Sequence, residues 1–243
     1  MIHKEDLEKL NNKYKEKSPQ ELLEFVMTEF GKDLKIASSL GVEDQVITQM
    51  ATAIEASVKV FVLDTGRLHQ ETYDVLEMTR QAYHVNYEIY FPESKSVEAL
   101  LKKKGPNSFY QSVENRKECC GIRKVEPLKR ALSDAKAWVT GLRQSQSVTR
   151  TELPLIEWDK THNIVKVNPL ALWREKEVWD YIKKHHIPTN ALHKKGYPSI
   201  GCAPCTRAIK EGEDIRAGRW WWESADQKEC GLHANIGDRN KNK

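Results

Sequence analysis

Four of the five cysteines stand in two groups far apart in the sequence: the adjacent Cys119-Cys120, and the pair in Cys202-Ala203-Pro204-Cys205. A fold that uses the two groups together must bring residue 202 back to residue 120. That requirement limits the topology more than any other single feature. Four thiolates are a soft donor set, suited to zinc or an iron–sulfur cluster and not to magnesium or calcium. The Cys-x-x-Cys spacing lets two sulfurs converge across a turn, and Pro204 stiffens it. Adjacent cysteines depart from the usual spacing of structural zinc pairs, which tilts the choice toward iron–sulfur and leaves zinc open. The plainer alternative is a scatter of buried thiols. Cys230, in Glu229-Cys230-Gly231-Leu232-His233, stands outside both groups and is the candidate free nucleophile.

Composition narrows the setting. Met1–Asp6 leads into no apolar signal segment, and no stretch approaches the ~18 apolar residues of a membrane-spanning helix. The cytoplasm is therefore the expected compartment, and neither a membrane nor a disulfide framework is expected. Charged residues make up 30% of the chain and the net charge is +4. That mild basic excess permits an anionic small molecule or a nucleic acid and indicates neither.

The N-terminal segment is polar and helical. Ser18-Pro19-Gln20-Glu21 predicts a helix start, with Ser18 as cap, Pro19 in the first turn and Glu21 closing a capping box. Leu22, Leu23, Val26 and Phe30 supply its apolar face, and Gly31 ends it. Strands and helices then alternate. Strands are predicted over 35–40, 59–64, 86–91 and 137–142, and helices over 43–56, 68–84, 94–104 and 120–133. This alternation predicts an α/β fold built on a parallel sheet. Residues 155–158 and 164–167 predict a hairpin or edge strands, and 174–186 a further helix. The domain reading is a helical segment over 1–34, an α/β domain over 35–210 and a C-terminal tail over 211–243.

Three predicted strands run into loops at their carboxyl ends, where ligands of parallel sheets bind. They are Ser38–Asp44, Asp64–His69 and Gly141–Gln146. Small residues opening a helix make natural anion sites, although turn geometry alone also selects Gly and Ser. Three such loops together favour a nucleotide pocket.

Taken together, Ser39-Leu40-Gly41-Val42-Glu43-Asp44, Leu63-Asp64-Thr65-Gly66-Arg67-Leu68-His69, the two cysteine groups and Glu-Cys-Gly-Leu-His near the end resemble the assimilatory adenylyl-sulfate reductases. These share the PP-loop, adenine-nucleotide α-hydrolase-like fold. The resemblance implies reduction of adenosine 5′-phosphosulfate to sulfite and AMP, with thioredoxin as electron donor. Cys230 would be the nucleophile that becomes an S-sulfocysteine. Cys119, Cys120, Cys202 and Cys205 would hold a [4Fe–4S] cluster. Lys124 resembles a lysine between cluster and substrate. Arg143, Arg216 and Arg219 resemble basic residues around the phosphosulfate. Ser39, Gly41, Asp64, Thr65, Gly66, Arg67 and Gly141 would complete the substrate site, with His233 in the tail motif. A homo-oligomer is expected, and nucleic acid is not.

One departure bears on the activity. An ATP-hydrolysing PP-loop reads Ser-Gly-Gly-x-Asp-Ser, whereas here Leu40 replaces a glycine and Gln45 the final serine. That weighs against a tRNA-thiolating PP-loop enzyme, one of two rival readings. The other is a zinc-stabilised interaction module using Trp220–Trp222. Within the reductase reading, the 3′-phosphorylated nucleotide is the alternative substrate, and Arg67 would be its counter-charge if it points inward.

Overall fold

The structure is a computed structural model, and it describes residues 2–146 and 153–224. The elements in chain order are α1 (Leu7–Tyr14), α2 (Pro19–Phe30), β1 (Leu34–Ser38), α3 (Val42–Ile54), β2 (Val60–Leu63), α4 (Gln70–Tyr83) and β3 (Tyr87–Tyr90). They continue with α5 (Ser94–Lys104), α6 (Val113–Cys120), α7 (Glu126–Ala131), β4 (Ala137–Val139), β5 (Ile156–Asp159), β6 (Ile164–Val167) and α8 (Glu175–His185). The start of α2 follows its sequence signal. The Ser18 hydroxyl accepts from the Glu21 N–H at 3.2 Å, and the Glu21 carboxylate accepts from the Ser18 N–H at 2.9 Å.

Among the described residues the strands form one sheet in the order β3-β2-β1-β4-β6-β5. β1 pairs in parallel with β2 and with β4, and β4 with β6. Only β5 is shown antiparallel, against β6. β6 is therefore interior, and of the predicted hairpin pair β5 alone lies at the edge. The central strands are buried almost throughout, as expected where helices cover both faces.

Contacts divide the chain into two compact units. The first comprises residues 1–62, 72–88 and 134–190, and the second 63–71, 89–133 and 191–243. The first unit contains the main core, where Leu22, Leu23 and Val26 of α2 and Val46, Ile47 and Met50 of α3 join Ile36, Val139 and Val167 of the sheet. A smaller core in the second unit joins Phe109, Cys205 and Trp220, with Cys119, Cys202 and Trp222 against it.

The helix predicted over 120–133 is different in the structure. A helix already starts at Val113, capped by Ser112 Oγ, which accepts from the Asn115 N–H at 3.2 Å. The cysteine pair thus closes α6 instead of opening a helix. A π-helical turn, Gly121–Val125, then leads into α7. Residues 113–120 carry no apolar stripe, so periodicity could not reveal them.

Candidate functional site

In the first unit the candidate residues gather on the loops that follow β1 and β4. Leu40 has φ +63°, a left-handed conformation that a side chain rarely adopts and that a glycine would take freely. It is 2% exposed and packs with Val62 and Val75. Burial of a leucine, worth ~1.5–3 kcal/mol, offsets the ~1–2 kcal/mol cost of the left-handed backbone.

The acidic residues behind this turn are satisfied within the unit. Asp44 accepts from both the N–H and the hydroxyl of Ser39, each at 2.6 Å. Burial raises its carboxyl from 3.8 to about 6, against the pull of those hydrogen bonds. A Cβ added at Gly141 would lie 2.2 Å from Asp44 Oδ1 and 3.0 Å from Glu43 Cβ, so only glycine leaves room there. Gly41 is the N-cap of α3. Glu43 meets Arg143 at 2.7 Å, and the same guanidinium donates to Ser145 Oγ at 2.7 Å. The Glu43 carboxylate, positioned to repel a bound anion, is thereby neutralised by Arg143.

In the second unit the loop after Leu63 is shaped by its own side chains. Asp64 Oδ1 accepts from the Gly66 N–H at 2.8 Å, and Thr65 Oγ1 accepts from the Arg67 N–H at 3.2 Å. Gly66 has φ +69°, and a Cβ there would come 3.0 Å from the Phe91 ring. Arg67 does not extend outward as a free cation. It donates to the Pro106 carbonyl at 2.7 Å and lies over the Phe109 ring at 4.9 Å.

All four motif cysteines line one recess of about 320 Å³, together with Arg67, Arg116, Arg123, Lys124, Phe109 and Pro204. The topology thus meets the demand made by the sequence. Burial pushes the Cys205 thiol up to about 12 and also raises Cys119, while Lys124 pulls Cys205 down and Arg123 pulls Cys119 down. Cys202 Sγ donates to Thr65 Oγ1 at 3.3 Å. As placed, no three His, Cys, Asp or Glu side chains among the described residues form a set that could hold a metal ion. A single zinc needs its four sulfurs about one point, and the described side chains do not form that arrangement. What fits an iron–sulfur cluster is the chemistry of the lining: four soft donors, four cations and no carboxylate.

Two of those cations carry no signal from the family resemblance. Arg116 and Arg123 stand at helical spacing on either side of the cysteine pair, three to four residues from each sulfur, and that periodicity could have identified them. Arg123 donates to the Thr65 carbonyl at 2.6 Å, which ties the recess to the Asp64–Arg67 loop. Arg116 pairs with Glu223 through two hydrogen bonds, Nε–Oε1 at 3.0 Å and Nη2–Oε2 at 2.7 Å.

Other predicted residues lie elsewhere. Arg219 is buried, with its guanidinium 4.7 Å over Trp220 and donating to Ser199 Oγ at 3.3 Å. Arg216 sits on the turn after Asp214, outside the recess lining. Trp220 is a core residue, as the packing reading of the tryptophans expects. Cys230 and His233 lie outside the described residues.

Residues 33–208 match the family described as the phosphoadenosine phosphosulfate reductase domain. The chain belongs to that family. Curated members of the phosphoadenosine phosphosulfate reductase family similar to it include the adenosine 5′-phosphosulfate reductase of Allochromatium vinosum, 51% identical over 213 residues, covering 88% of this chain and 83% of the relative. The enzyme of the same name from Pseudomonas aeruginosa is 45% identical over 235 residues, covering 94% and 87%. Among solved structures, the phosphoadenylyl-sulfate reductase of Candida auris, in a phosphate complex, superposes with a TM-score of 0.74 at 31% identity, covering 86% of this chain and 98% of that one. An FMN adenylyltransferase of Candida glabrata, at 12% identity and TM-score 0.56, covering 98% and 83%, shares the fold alone. The expected α/β, PP-loop-type reductase fold is borne out.

Proposed function

We propose that this chain reduces adenosine 5′-phosphosulfate to sulfite and AMP, with Cys230 as nucleophile and thioredoxin as reductant. The observation that carries the reading is the convergence of both cysteine groups on one cation-lined recess, in a chain 45–51% identical to reductases named for that substrate. The Cys230 thiolate attacks the sulfur of the phosphosulfate. The bond from that sulfur to the bridging oxygen breaks, AMP leaves with the electron pair, and an S-sulfocysteine remains. A thioredoxin thiolate then attacks the Cys230 sulfur and releases sulfite. The second thioredoxin thiol resolves the mixed disulfide, so the dithiol supplies both electrons.

Cys119, Cys120, Cys202 and Cys205 would hold a [4Fe–4S] cluster. When bound, it would add a polarising, structural centre beside the substrate, since thiols already carry the electrons. Lys124 and Arg123 would balance charge there. A basic site also favours the thiolate form of an approaching cysteine. Ser39, Gly41 and Gly141 would contribute to the nucleotide site in the first unit, and Asp64, Thr65 and Gly66 in the second. Residues 211–243 would act as the tail that carries the nucleophile between substrate and thioredoxin. No helix among the described residues is long and apolar enough to cross a membrane. The reading places the enzyme in the cytoplasm, as a homo-oligomer, in sulfate assimilation.

The family description and the Candida auris relative favour a second reading, in which the 3′-phosphorylated nucleotide is the substrate. Arg67 was its candidate counter-charge, and in the structure that guanidinium is held by Pro106 and Phe109. The test is sulfite release with thioredoxin and each nucleotide. The expected ratio of kcat/KM favours adenosine 5′-phosphosulfate. A ratio favouring the 3′-phosphorylated form by tenfold, roughly 1.4 kcal/mol, would overturn the choice.

A further inference from the structure

The Arg116–Glu223 pair is the most buried ion pair among the described residues, with side chains 1% and 3% exposed. It joins α6, which ends in Cys119-Cys120, to the last ordered turn before the tail. The same turn reaches the other cysteine group. The Trp220 N–H donates to the Cys205 carbonyl at 3.2 Å, and Arg207 donates to Gly218 at 3.0 Å. The Trp220 ring has two guanidinium neighbours, Arg116 and Arg219, each 4.7 Å from its centroid. Removing one partner of such a buried pair leaves an uncompensated charge, so the pair is not an incidental surface contact.

We infer that Arg116 and Glu223 are positioning residues that fix the root of the C-terminal tail to the cysteine-bearing helix and so confine Cys230 near the recess. Cys230 lies seven residues beyond Glu223. Seven residues of extended chain reach at most about 25 Å. Without the pair the next anchor is Trp220, and the tether becomes ten residues, with a reach of about 36 Å. Effective concentration falls roughly as the −3/2 power of tether length, so lengthening alone costs about 1.7-fold. Loss of the root's direction adds to that figure.

The inference rests on the reading of Cys230 as nucleophile, and the experiment separates the two. In full-length, cluster-loaded protein, Cys230 outside the ligand set is labelled with a thiol-reactive acceptor dye, and energy transfer from tryptophan is measured. Glu223→Ala should lower the transfer and slow single-turnover formation of the Cys230 sulfo adduct two- to fivefold. Iron content and nucleotide Kd should stay within twofold. Because Glu223→Ala leaves a buried charge, R116M/E223L is measured beside it and should show the same two losses. Glu223→Gln, which keeps one acceptor, should fall between. Unchanged energy transfer in both E223A and R116M/E223L would overturn the inference. So would a parallel loss of iron, nucleotide binding and rate, the signature of a merely structural pair. If wild type forms no Cys230 adduct, the proposed function fails, and energy transfer alone still decides where the tail is rooted.

Discussion

The β1 loop of the first unit and the cysteine recess of the second handle charge in opposite ways. In the loop, carboxylates are retained and neutralised locally: Asp44 by Ser39, Glu43 by Arg143. In the recess no carboxylate lines the wall, and four cations face four thiols. The first region spends its polar groups on holding its own backbone. The second concentrates positive charge where sulfur anions are to be held or formed. The difference teaches that a phosphate-loop ancestry of fold does not imply a loop free to grip a triphosphate. Here part of the gripping surface is already used internally.

Several substitutions would break or sharpen this contrast. The largest effect is expected for Cys230→Ser, which should abolish turnover while iron content and nucleotide binding persist; a serine variant with full activity, or a sulfo adduct found on another peptide, refutes the assignment. Cys205→Ser should come next. Wild type purified without oxygen should contain about four irons per chain, and the variant should lose most of them. Stoichiometric zinc without iron in wild type would sink the cluster reading.

The loop should respond to pH where the recess does not. Asp44 has a folded-state value of about 6 against an ordinary 3.8. A carboxyl raised in the folded state binds its proton more tightly there. Its favourable contribution is therefore full below about pH 4 and is lost as pH rises through about 6. The shift of some two units corresponds to about 3 kcal/mol. Denaturant unfolding of Asp44→Asn should be flatter than wild type between those limits, and an identical slope would remove Asp44 as the cause. The smallest effect is expected for Gly141→Ala, whose methyl would press on the Asp44 carboxylate. A cost of about 2 kcal/mol should lower Tm by about 4–8 °C. An unchanged Tm would mean that Asp44 yields easily.

Legibility from sequence follows the same division. The parallel sheet announced itself through β-branched runs such as Val60–Leu63, whose burial on both faces leaves a continuous apolar signal. The α2 capping box was equally plain, because its chemistry is local. The convergence of the cysteines was predictable from donor chemistry, though not its wall of cations. Arg116 and Arg123 reach partners at Glu223 and Thr65, far along the chain. The expectation that Arg67 might face outward ignored Phe109, whose ring captures the guanidinium. Arg143 looked like an anion ligand because its partner Glu43 lies a hundred residues away. Long-range charge pairing, unlike periodicity, leaves no local trace.

The wide turn at Gly121–Val125 has a consequence for how this segment can change length. Successive residues of an α-helix are about 100° apart around the axis. A π turn absorbs an extra residue within one turn and so resets that phase. Deleting a single residue from Gly121–Val125 would let α-type hydrogen bonding run straight through, rotating all that follows by about 100° relative to Cys119 and Cys120. Leu128 and Ala131, now buried, would swing toward solvent. Loops elsewhere in the chain can gain or lose a residue at little cost, whereas here a single-codon deletion would misdirect an entire helix.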